Sequence, residues 1–122
     1  MPHTFIGIDH VQIAAPPGAE AQARAFFADV LGMTEVLKPV SLRGRGGVWF
    51  QCGAQQLHVG IEGNFSPAKK AHPAIGVQNL AELRLRLQQA DIKMIEDNSL
   101  PDAERFYIND PFGNRLEFLE LK

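Results

Sequence analysis

The fold of this 122-residue chain is decided by the stretch RFYINDPFGNRLE, residues 105–117. Its first part, Arg105 to Asn109, predicts a strand because it is rich in aromatic and branched side chains and is bounded by turn residues. A proline and a glycine then predict a tight turn over Asp110 to Asn114. We therefore expect two strands joined by a short turn, the second running from Arg115 to Leu121.

The residues before this pair of strands predict one more strand, a helix and a third strand. A strand over His72 to Val77 is followed by Asn79, a residue type that commonly begins a helix as its N-cap, with Glu82 placed to bond back to it. Four apolar residues at helical spacing form the expected buried stripe of that helix: Leu80, Leu83, Leu87 and Ala90. A further strand is predicted over Ile92 to Glu96.

The first half of the chain repeats this order. A strand over Phe5 to Ala15 is stopped by Pro16-Pro17-Gly18, and an amphipathic helix over Ala19 to Leu31 follows. Three short strands are then predicted: Thr34 to Lys38, Val48 to Cys52 and Gln56 to Ile61. We expect a mobile hairpin loop over Leu42 to Gly47. The chain is therefore built from one unit that occurs twice.

Two repeats of this unit predict an α+β fold of paired βαβββ modules with two mixed sheets. The modules are expected over residues 1–62 and 72–122. Residues 63–71 form the connector, because they combine glycine, asparagine, serine and proline without periodicity. A module of about 60 residues buries too little surface to be secure alone. We therefore expect the modules to pack on each other or on a second subunit, which favours a homodimer.

Both repeats carry candidate metal ligands at the same two places. These are His10 and His58 in the first half, and His72 and Glu117 in the second. Successive residues of a strand face opposite sides of a sheet, and all four candidates lie opposite the apolar positions. Three imidazoles and a carboxylate form a good ligand set for Fe, Mn, Ni or Zn. We therefore predict a divalent metal centre where the two sheets curve into a cup, although each histidine alone is more often structural.

Composition argues against several other functions. The formal net charge is -2 and the basic residues are scattered, which argues against a nucleic-acid partner. No apolar stretch approaches the roughly 20 residues that span a bilayer, and the segment Met1-Pro2-His3-Thr4 does not have the features of a secretion leader. We therefore expect a cytoplasmic protein that binds a small molecule and no membrane. Cys52 is the single cysteine, and we expect it to be a buried core residue.

Three stretches of the sequence have the character of family motifs: DHV at residues 9–11, FFADVLGM at 26–33 and RFYINDPFGNRLE at 105–117. They resemble the vicinal oxygen chelate superfamily, which includes glyoxalase I, methylmalonyl-CoA epimerase, extradiol dioxygenases and bleomycin-resistance proteins. The resemblance covers essentially the whole chain and implies paired βαβββ modules that enclose a metal on their concave side. It also implies that His10, His72 and Glu117 are the two histidines and one carboxylate of the family.

His58 departs from the family pattern, because glyoxalase I looks to have glutamate and the epimerase glutamine at this position. The resemblance implies a lyase or isomerase of the glyoxalase type, in which a divalent metal binds two oxygens of a small substrate and Glu117 moves a proton. We expect Arg105 and Tyr107 to contact the substrate, with Tyr107 as a second catalytic candidate. A packed aromatic is the alternative role of Tyr107.

Two other functions remain open. The spacing of Tyr107 and Glu117 resembles the signature of extradiol ring-cleaving dioxygenases, but the histidine of that signature is absent from residues 96–101. A protein of the bleomycin-resistance kind uses the same fold as a non-catalytic dimer that binds its ligand without a metal. Such a protein needs no quartet of metal ligands, and here all four positions are filled.

Overall fold

Each half of the chain folds into a strand, a helix and three further strands, in a computed structural model that describes residues 2–122. The first half contains β1 (His10–Ala15), β2 (Thr34–Val36), β3 (Val48–Cys52) and β4 (Gln55–Ile61). The second half contains β5 (Ala74–Gly76), β6 (Ile95–Glu96), β7 (Ala103–Asn109) and β8 (Arg115–Leu121). The helices are α1 (Glu20–Ala23), its π-helical continuation (Arg24–Val30), a 3-10 helix (Val40–Arg45) and α2 (Leu80–Gln89). Among residues 2–122, no helix is long and apolar enough to cross a membrane.

The strands form two four-stranded mixed sheets of the same order, β1-β4-β3-β2 and β5-β8-β7-β6. β1 pairs with β4 in parallel, and so does β5 with β8, whereas all other neighbouring strands are antiparallel. The predicted α+β fold of paired βαβββ modules is confirmed. β1 and β5 are edge strands, and residues of both line two clefts of about 500 and 630 Å³.

One hydrophobic core joins the two modules. Its large, fully buried side chains come from both halves: Phe27, Phe50, Phe106, Phe118, Leu80 and Leu87. Burying a side chain of this size stabilises the fold by about 1.5–3 kcal/mol. Ala90, predicted in the same stripe as Leu87, is exposed because α2 ends at Gln89. Since the helices cover the apolar faces of the sheets, the polar faces are left for the candidate ligands.

The start of α2 is capped by a distant residue and not by Asn79, so the predicted cap is wrong. Asn79 has left-handed backbone angles, φ 61° and ψ 60°, and its side chain forms no cap hydrogen bond. The Glu120 carboxylate on β8 instead accepts the Asn79 N–H at 3.0 Å and the Leu80 N–H at 2.9 Å. A carboxylate at this place also interacts favourably with the positive end of the helix dipole. The last strand therefore fixes the position of the helix.

Four strands are shorter than the sequence predicts. β2 ends at Val36 instead of Lys38, and β5 covers only Ala74–Gly76, so His72 lies before the strand that it was expected to open. β1 begins at His10 instead of Phe5, and Phe5 and Ile6 are 89% and 98% exposed because the ladder with β4 starts only at His10. β6 consists of Ile95–Glu96 alone, because Ile92 packs against the core and does not pair with β7. Apolar side chains therefore predict the existence of these strands better than their ends.

The loop between β2 and β3 is more regular than the predicted hairpin over Leu42 to Gly47, since most of it forms the 3-10 helix. Gly47 has φ +89°, and a Cβ atom there would overlap the Val59 carbonyl oxygen. Its N–H donates to the Glu20 carboxylate at 3.0 Å. Glycine is therefore required for the loop to lie against β4 and to be tied to α1.

Cys52 packs against the core but is only partly buried. Burial raises the pKa of its thiol. At neutral pH the thiol is therefore mostly protonated, which agrees with a packing role and not with a reactive one.

Two polar side chains connect the modules besides the shared core. Asn114 Nδ2 donates to the Ala14 carbonyl oxygen at 2.8 Å, and Asn114 Oδ1 accepts the Ala68 N–H at 3.0 Å. Arg86 on α2 donates to the Asp29 carbonyl oxygen at the end of the first helix, at 3.1 Å. Carbonyl oxygens near the end of β1 and near the end of the first helix therefore both accept hydrogen bonds from the second module.

Candidate metal centre

Two of the candidate ligands, His10 and His58, stack on each other on the polar face of the first sheet. The parallel register of β1 and β4 pairs Gln12 with His58, so His10 and His58 share a face. Their rings are 4.2 Å apart between centroids, at an interplanar angle of 17°. Trp49 on β3 lies opposite His58 and stacks on it at 3.9 Å and 3°. The three rings form an aromatic column across β1, β4 and β3.

His58 is the buried member of this column, with 4% of its surface exposed. Its Nε2 lies 2.9 Å from the Gln56 side-chain oxygen, which accepts a hydrogen bond and leaves Nδ1 with the lone pair. Burial lowers the pKa of His58, and the nearby charges of His10 and Lys38 lower it further. His58 is therefore a neutral imidazole at pH 7.

The other two candidates, His72 and Glu117, meet on the polar face of the second sheet. His72 Nε2 lies 3.0 Å from Oε1 of Glu117, a residue that is 5% exposed. His72 Nδ1 lies 2.8 Å from the Lys70 carbonyl oxygen, which can only accept, so Nδ1 carries a proton. In the neutral tautomer that carries this proton, Nε2 directs its lone pair at a carboxylate oxygen. That contact is favourable only with a cation, a proton or a metal ion, between the two atoms.

The second oxygen of Glu117 faces Arg105, whose Nη1 lies 3.4 Å away. The Arg105 guanidinium also contacts the Asp97 carboxylate at 3.0 Å and donates to Ser99 Oγ at 2.8 Å. These contacts compensate the buried charge of Glu117 and fix the plane of its carboxylate. Arg105 is thus held beside the candidate ligand, and its contact with a substrate stays a prediction.

Tyr107 lies on β7 directly opposite Glu117 and is 8% exposed. The Arg115 guanidinium lies 3.9 Å from the centroid of its ring, and the His72 ring meets it edge-on at 5.3 Å. Tyr107 therefore packs against His72 and carries a cation on its face. These contacts favour the packed role, and a catalytic role of Tyr107 stays a prediction.

The donor atoms of the two pairs suit a divalent cation. His10 Nδ1 lies 2.9 Å from the Asp9 carboxylate, much as His72 Nδ1 lies beside a carbonyl. In both residues an oxygen acceptor fixes the proton on Nδ1 and leaves the lone pair on Nε2. Metal-binding histidines are generally held in this way. With Glu117, these Nε2 atoms provide the predicted set of two imidazoles and one carboxylate.

Residues 2–122 of one chain do not gather this set around a single point. Within residues 2–122, no three histidine, cysteine, aspartate or glutamate side chains are grouped so that they could hold one ion. The structure brings His10 to His58 and His72 to Glu117, as two separate pairs. The shared face that strand alternation predicts for His10 and His58 is confirmed. His72 lies before β5, and within residues 2–122 of one chain the four candidates do not form a common centre.

Three side chains that shape these pairs are not among the residues that the sequence pattern predicts: Trp49, Asp97 and Arg115. Strand alternation was sufficient to find Arg115, because it lies two residues before Glu117 and so shares its face. Trp49 needed the register of β3 against β4, which depends on where the turn between them falls. Asp97 follows β6 in a loop whose path no periodicity predicts.

Comparisons with known proteins agree with this architecture. A sequence profile described as Glyoxalase/Bleomycin resistance protein/Dioxygenase superfamily matches residues 7–118. The chain is similar to a glyoxalase family protein from Bacillus anthracis, with 52% identity, 100% of both chains covered and a TM-score of 0.97. Lactoylglutathione lyase from Agrobacterium tumefaciens has 23% identity over 97% of this chain and 96% of that chain, with a TM-score of 0.76. A glyoxalase/dioxygenase from Nostoc punctiforme has 17% identity over 96% and 92%, with a TM-score of 0.77. The last two likenesses show the fold alone, and none of the curated proteins matches the chain.

Proposed function

The chain belongs to the Glyoxalase/Bleomycin resistance protein/Dioxygenase superfamily, and from this membership we propose that it is a metal-dependent lyase or isomerase of the glyoxalase type. Its substrate is a small molecule that binds the metal through two adjacent oxygens. The observation that carries the proposal is the contact of His72 Nε2 with Glu117 Oε1 at 3.0 Å. Because the Lys70 carbonyl fixes the proton of His72 on Nδ1, this contact leaves a place for a cation.

The complete site takes one pair of ligands from each of two copies of the chain. His10 and His58 of one copy join His72 and Glu117 of the other, since the part of a single chain that the structure describes contains no group of three ligands. Such a homodimer is two-fold symmetric and contains two equal sites. Fe, Mn, Ni or Zn fits this combination of imidazoles and a carboxylate.

A divalent cation held by His10, His58, His72 and Glu117 would supply Lewis-acid stabilisation of the negative charge that develops on the substrate oxygens. Glu117 accepts a proton from a carbon that carries one of those oxygens and returns it to the adjacent atom of the substrate. Arg105 contacts the second oxygen of Glu117 at 3.4 Å and so orients the first one. Tyr107 and Arg115 cover this side of the pair and limit the access of water.

A metal-free binding protein of the bleomycin-resistance kind is the second candidate. The observation that favours it is the Arg105 guanidinium, which balances the charge of Glu117 without a metal. In such a protein the aromatic column of His10, His58 and Trp49 offers its surface to a planar ligand. Elemental analysis of protein purified without chelators separates the candidates. About one metal ion per chain supports the enzyme, and none supports the binding protein.

The experiment that tests the shared site mixes two variants, His10→Ala and Glu117→Gln. Each variant alone has no intact site and is expected to lose at least ~100-fold in kcat/KM. Unfolding and refolding them together yields heterodimers with one intact site of two, so about a quarter of the wild-type activity returns. Glu62→Gln, which changes an exposed carboxylate away from both pairs, is the control and stays fully active. If both variants are folded and their mixture recovers no activity, the shared site is contradicted.

The reaction is tested by titrating the protein with metals in the absence of air and offering two trial substrates. Conversion of a hemithioacetal is the expected result. Oxygen uptake with a catechol, once air is admitted, would end the isomerase proposal in favour of a ring-cleaving dioxygenase.

A further inference from the structure

A small cavity of about 250 Å³ lies beside Trp49 on the first module. Gln12, Lys38 and Arg45 line it together with Trp49, and the 3-10 helix Val40–Arg45 contributes part of its wall. Pockets for drug-sized ligands are typically about 300–1,000 Å³, so this one suits a group of a few heavy atoms. None of the proposed metal ligands lines the cavity. It is therefore distinct from the metal centre.

The cavity is positively charged. Lys38 and Arg45 line it, and no aspartate or glutamate among the described residues does. The Lys38 ammonium donates to the Gly46 carbonyl oxygen, which holds the charge in place and leaves two of its three N–H donors. Glu20 lies nearby; its carboxylate accepts the Gly47 N–H at 3.0 Å, keeps its negative charge and interacts with the charges of Arg24 and Lys38. The two cations of the lining outnumber this one carboxylate, so a net positive charge is left for a ligand.

A glycine makes room for a third polar group in the cavity. Gly60 on β4 has no Cβ atom, and a Cβ there would overlap the side-chain amide of Gln12. The Gln12 amide therefore lies across Gly60 and lines the cavity. With the ammonium of Lys38 and the guanidinium of Arg45, the amide completes a set of N–H donors. Such a set suits an oxyanion, which accepts several hydrogen bonds at once.

The cavity lies next to the aromatic column described above. Trp49 belongs to both, since it stacks on His58 at 3.9 Å and also lines the cavity. The charge of Lys38 contributes to the lowered pKa of His58, so the two groups are close enough to interact. A molecule anchored in the cavity therefore contacts the same indole that stacks on His58.

We propose that this cavity binds an anionic end, a carboxylate or a phosphate, of the substrate. The inference rests on the proposed function, because it names the substrate class of the same enzyme, a small acid. Lys38 and Arg45 recognise the charge, and the indole of Trp49 packs against the adjoining carbon atoms. A neutral analogue leaves both cations without a partner and binds more weakly.

The test uses Trp49 as its own reporter, because it is the only tryptophan in the sequence. Metal-free protein is titrated at constant ionic strength with inorganic phosphate, with glycolate and, as the neutral control, with glycolamide. A saturable change in Trp49 emission is expected with an anion and not with glycolamide. Whichever of phosphate and glycolate binds more tightly identifies the anionic group of the substrate as a phosphate or a carboxylate. Lys38→Met and Arg45→Gln are each expected to weaken this binding at least about tenfold. Lys93→Met, at an exposed lysine outside the cavity, keeps the wild-type affinity.

Two results overturn the proposal: no saturable response to either anion, or equal affinities in the wild type and in both cavity variants. Arg45 is exposed, so Arg45→Gln provides the test even where Lys38→Met disturbs folding. The titration needs no metal and is therefore independent of the subunit-mixing experiment. If the protein binds anions but mixed variants recover no activity, only the shared metal site is refuted. If mixed variants recover activity but the protein does not bind anions, only this inference is refuted.

Discussion

The imidazole of His58 has both faces and one nitrogen occupied, and this decides how the residue acts. His10 and Trp49 cover its faces, and its Nε2 bonds the Gln56 side chain at 2.9 Å. Only Nδ1 is left as a ligand atom, whereas His10 and His72 offer Nε2. Strand alternation predicts the face on which His58 lies. It does not predict the stacking, which depends on the register of β3 against β4.

We predict that His58 in the metal-free protein has a pKa below the ordinary value of 6.5, because burial and the charges of His10 and Lys38 disfavour its protonated form. The unfolded chain then binds the proton more tightly than the folded chain. The contribution of His58 to stability is therefore full above pH 6.5 and decreases as the pH falls from 6.5 toward the folded pKa. A pH titration of the His58 ring by NMR measures this value.

Two variants control the titration of His58. Lys38→Met removes a nearby positive charge and is expected to raise the pKa of His58. Lys93→Met removes a charge elsewhere on the surface and is expected to leave it unchanged. A pKa of His58 at or above 6.5 in the wild type contradicts the prediction.

The N-terminus of α2 is capped by tertiary structure, which local sequence rules do not see. Asn79 and Glu82 have the spacing of a local cap, but Asn79 adopts a left-handed conformation that points away from this role. The carboxylate that accepts the free N–H groups belongs to Glu120, 41 residues further along the chain from Asn79. The helix itself is predicted correctly from its apolar spacing, because packing against the core depends on that spacing alone.

Glu120→Gln is expected to lower the Tm by a few degrees at pH 7, because an amide oxygen is a weaker acceptor than a carboxylate and carries no charge toward the helix dipole. Hydrogen bonds from Leu80 and Asn79 lower the pKa of Glu120. Its contribution is therefore full above the unfolded pKa of about 4.5 and is lost as the pH falls through the folded value. Thermal melts of the wild type and the variant should differ at pH 7 and converge in acid.

Glu82→Gln is the matched control for this experiment, since Glu82 is the acid that the local rule selects. We expect its melting curve to follow that of the wild type at both pH values. A decrease in Tm for Glu82→Gln as large as that for Glu120→Gln would show that the local cap forms after all. A Tm difference between Glu120→Gln and the wild type that persists in acid would show that the carboxylate charge is not responsible.

At the scale of the whole molecule, the two modules share one core and are joined by the buried side chain of Asn114. Its amide bonds Ala14 in the first module, Ala68 in the segment between the modules and Asp110 in the turn before β8. A buried amide that loses such partners leaves several polar groups unsatisfied. We therefore expect the modules to unfold together.

Asn114→Ala is expected to lower the free energy of unfolding by roughly 2–4 kcal/mol, because three hydrogen bonds of a buried amide are lost. Urea unfolding followed by circular dichroism and by Trp49 fluorescence measures this loss and should show one transition with both probes. Asn98→Ala removes an exposed asparagine amide and is the control, with stability close to that of the wild type. Two separate transitions in the wild type contradict the shared core.

The repeated order of strands and helix is readable from the sequence, because apolar spacing within each element encodes it. The faces of His10 and Glu117 are equally readable, since alternation along β1 and β8 fixes them. Which histidine each of them meets is not readable, because it depends on strand register and on the path of the chain before β5. The distance between the pairs is not readable. It depends on how two modules, or two copies, pack through surfaces whose apolar patterns look alike in the sequence.

Asn114 and Arg86 are synthesised after the backbone carbonyl groups to which they donate. The first module leaves the ribosome before the side chains that satisfy the Ala14 and Asp29 carbonyl oxygens have been made. We therefore expect the nascent half to remain loosely structured and to expose the apolar surface that the second module later covers. Truncated chains released before residue 114 are expected to be degraded and not to accumulate as folded halves.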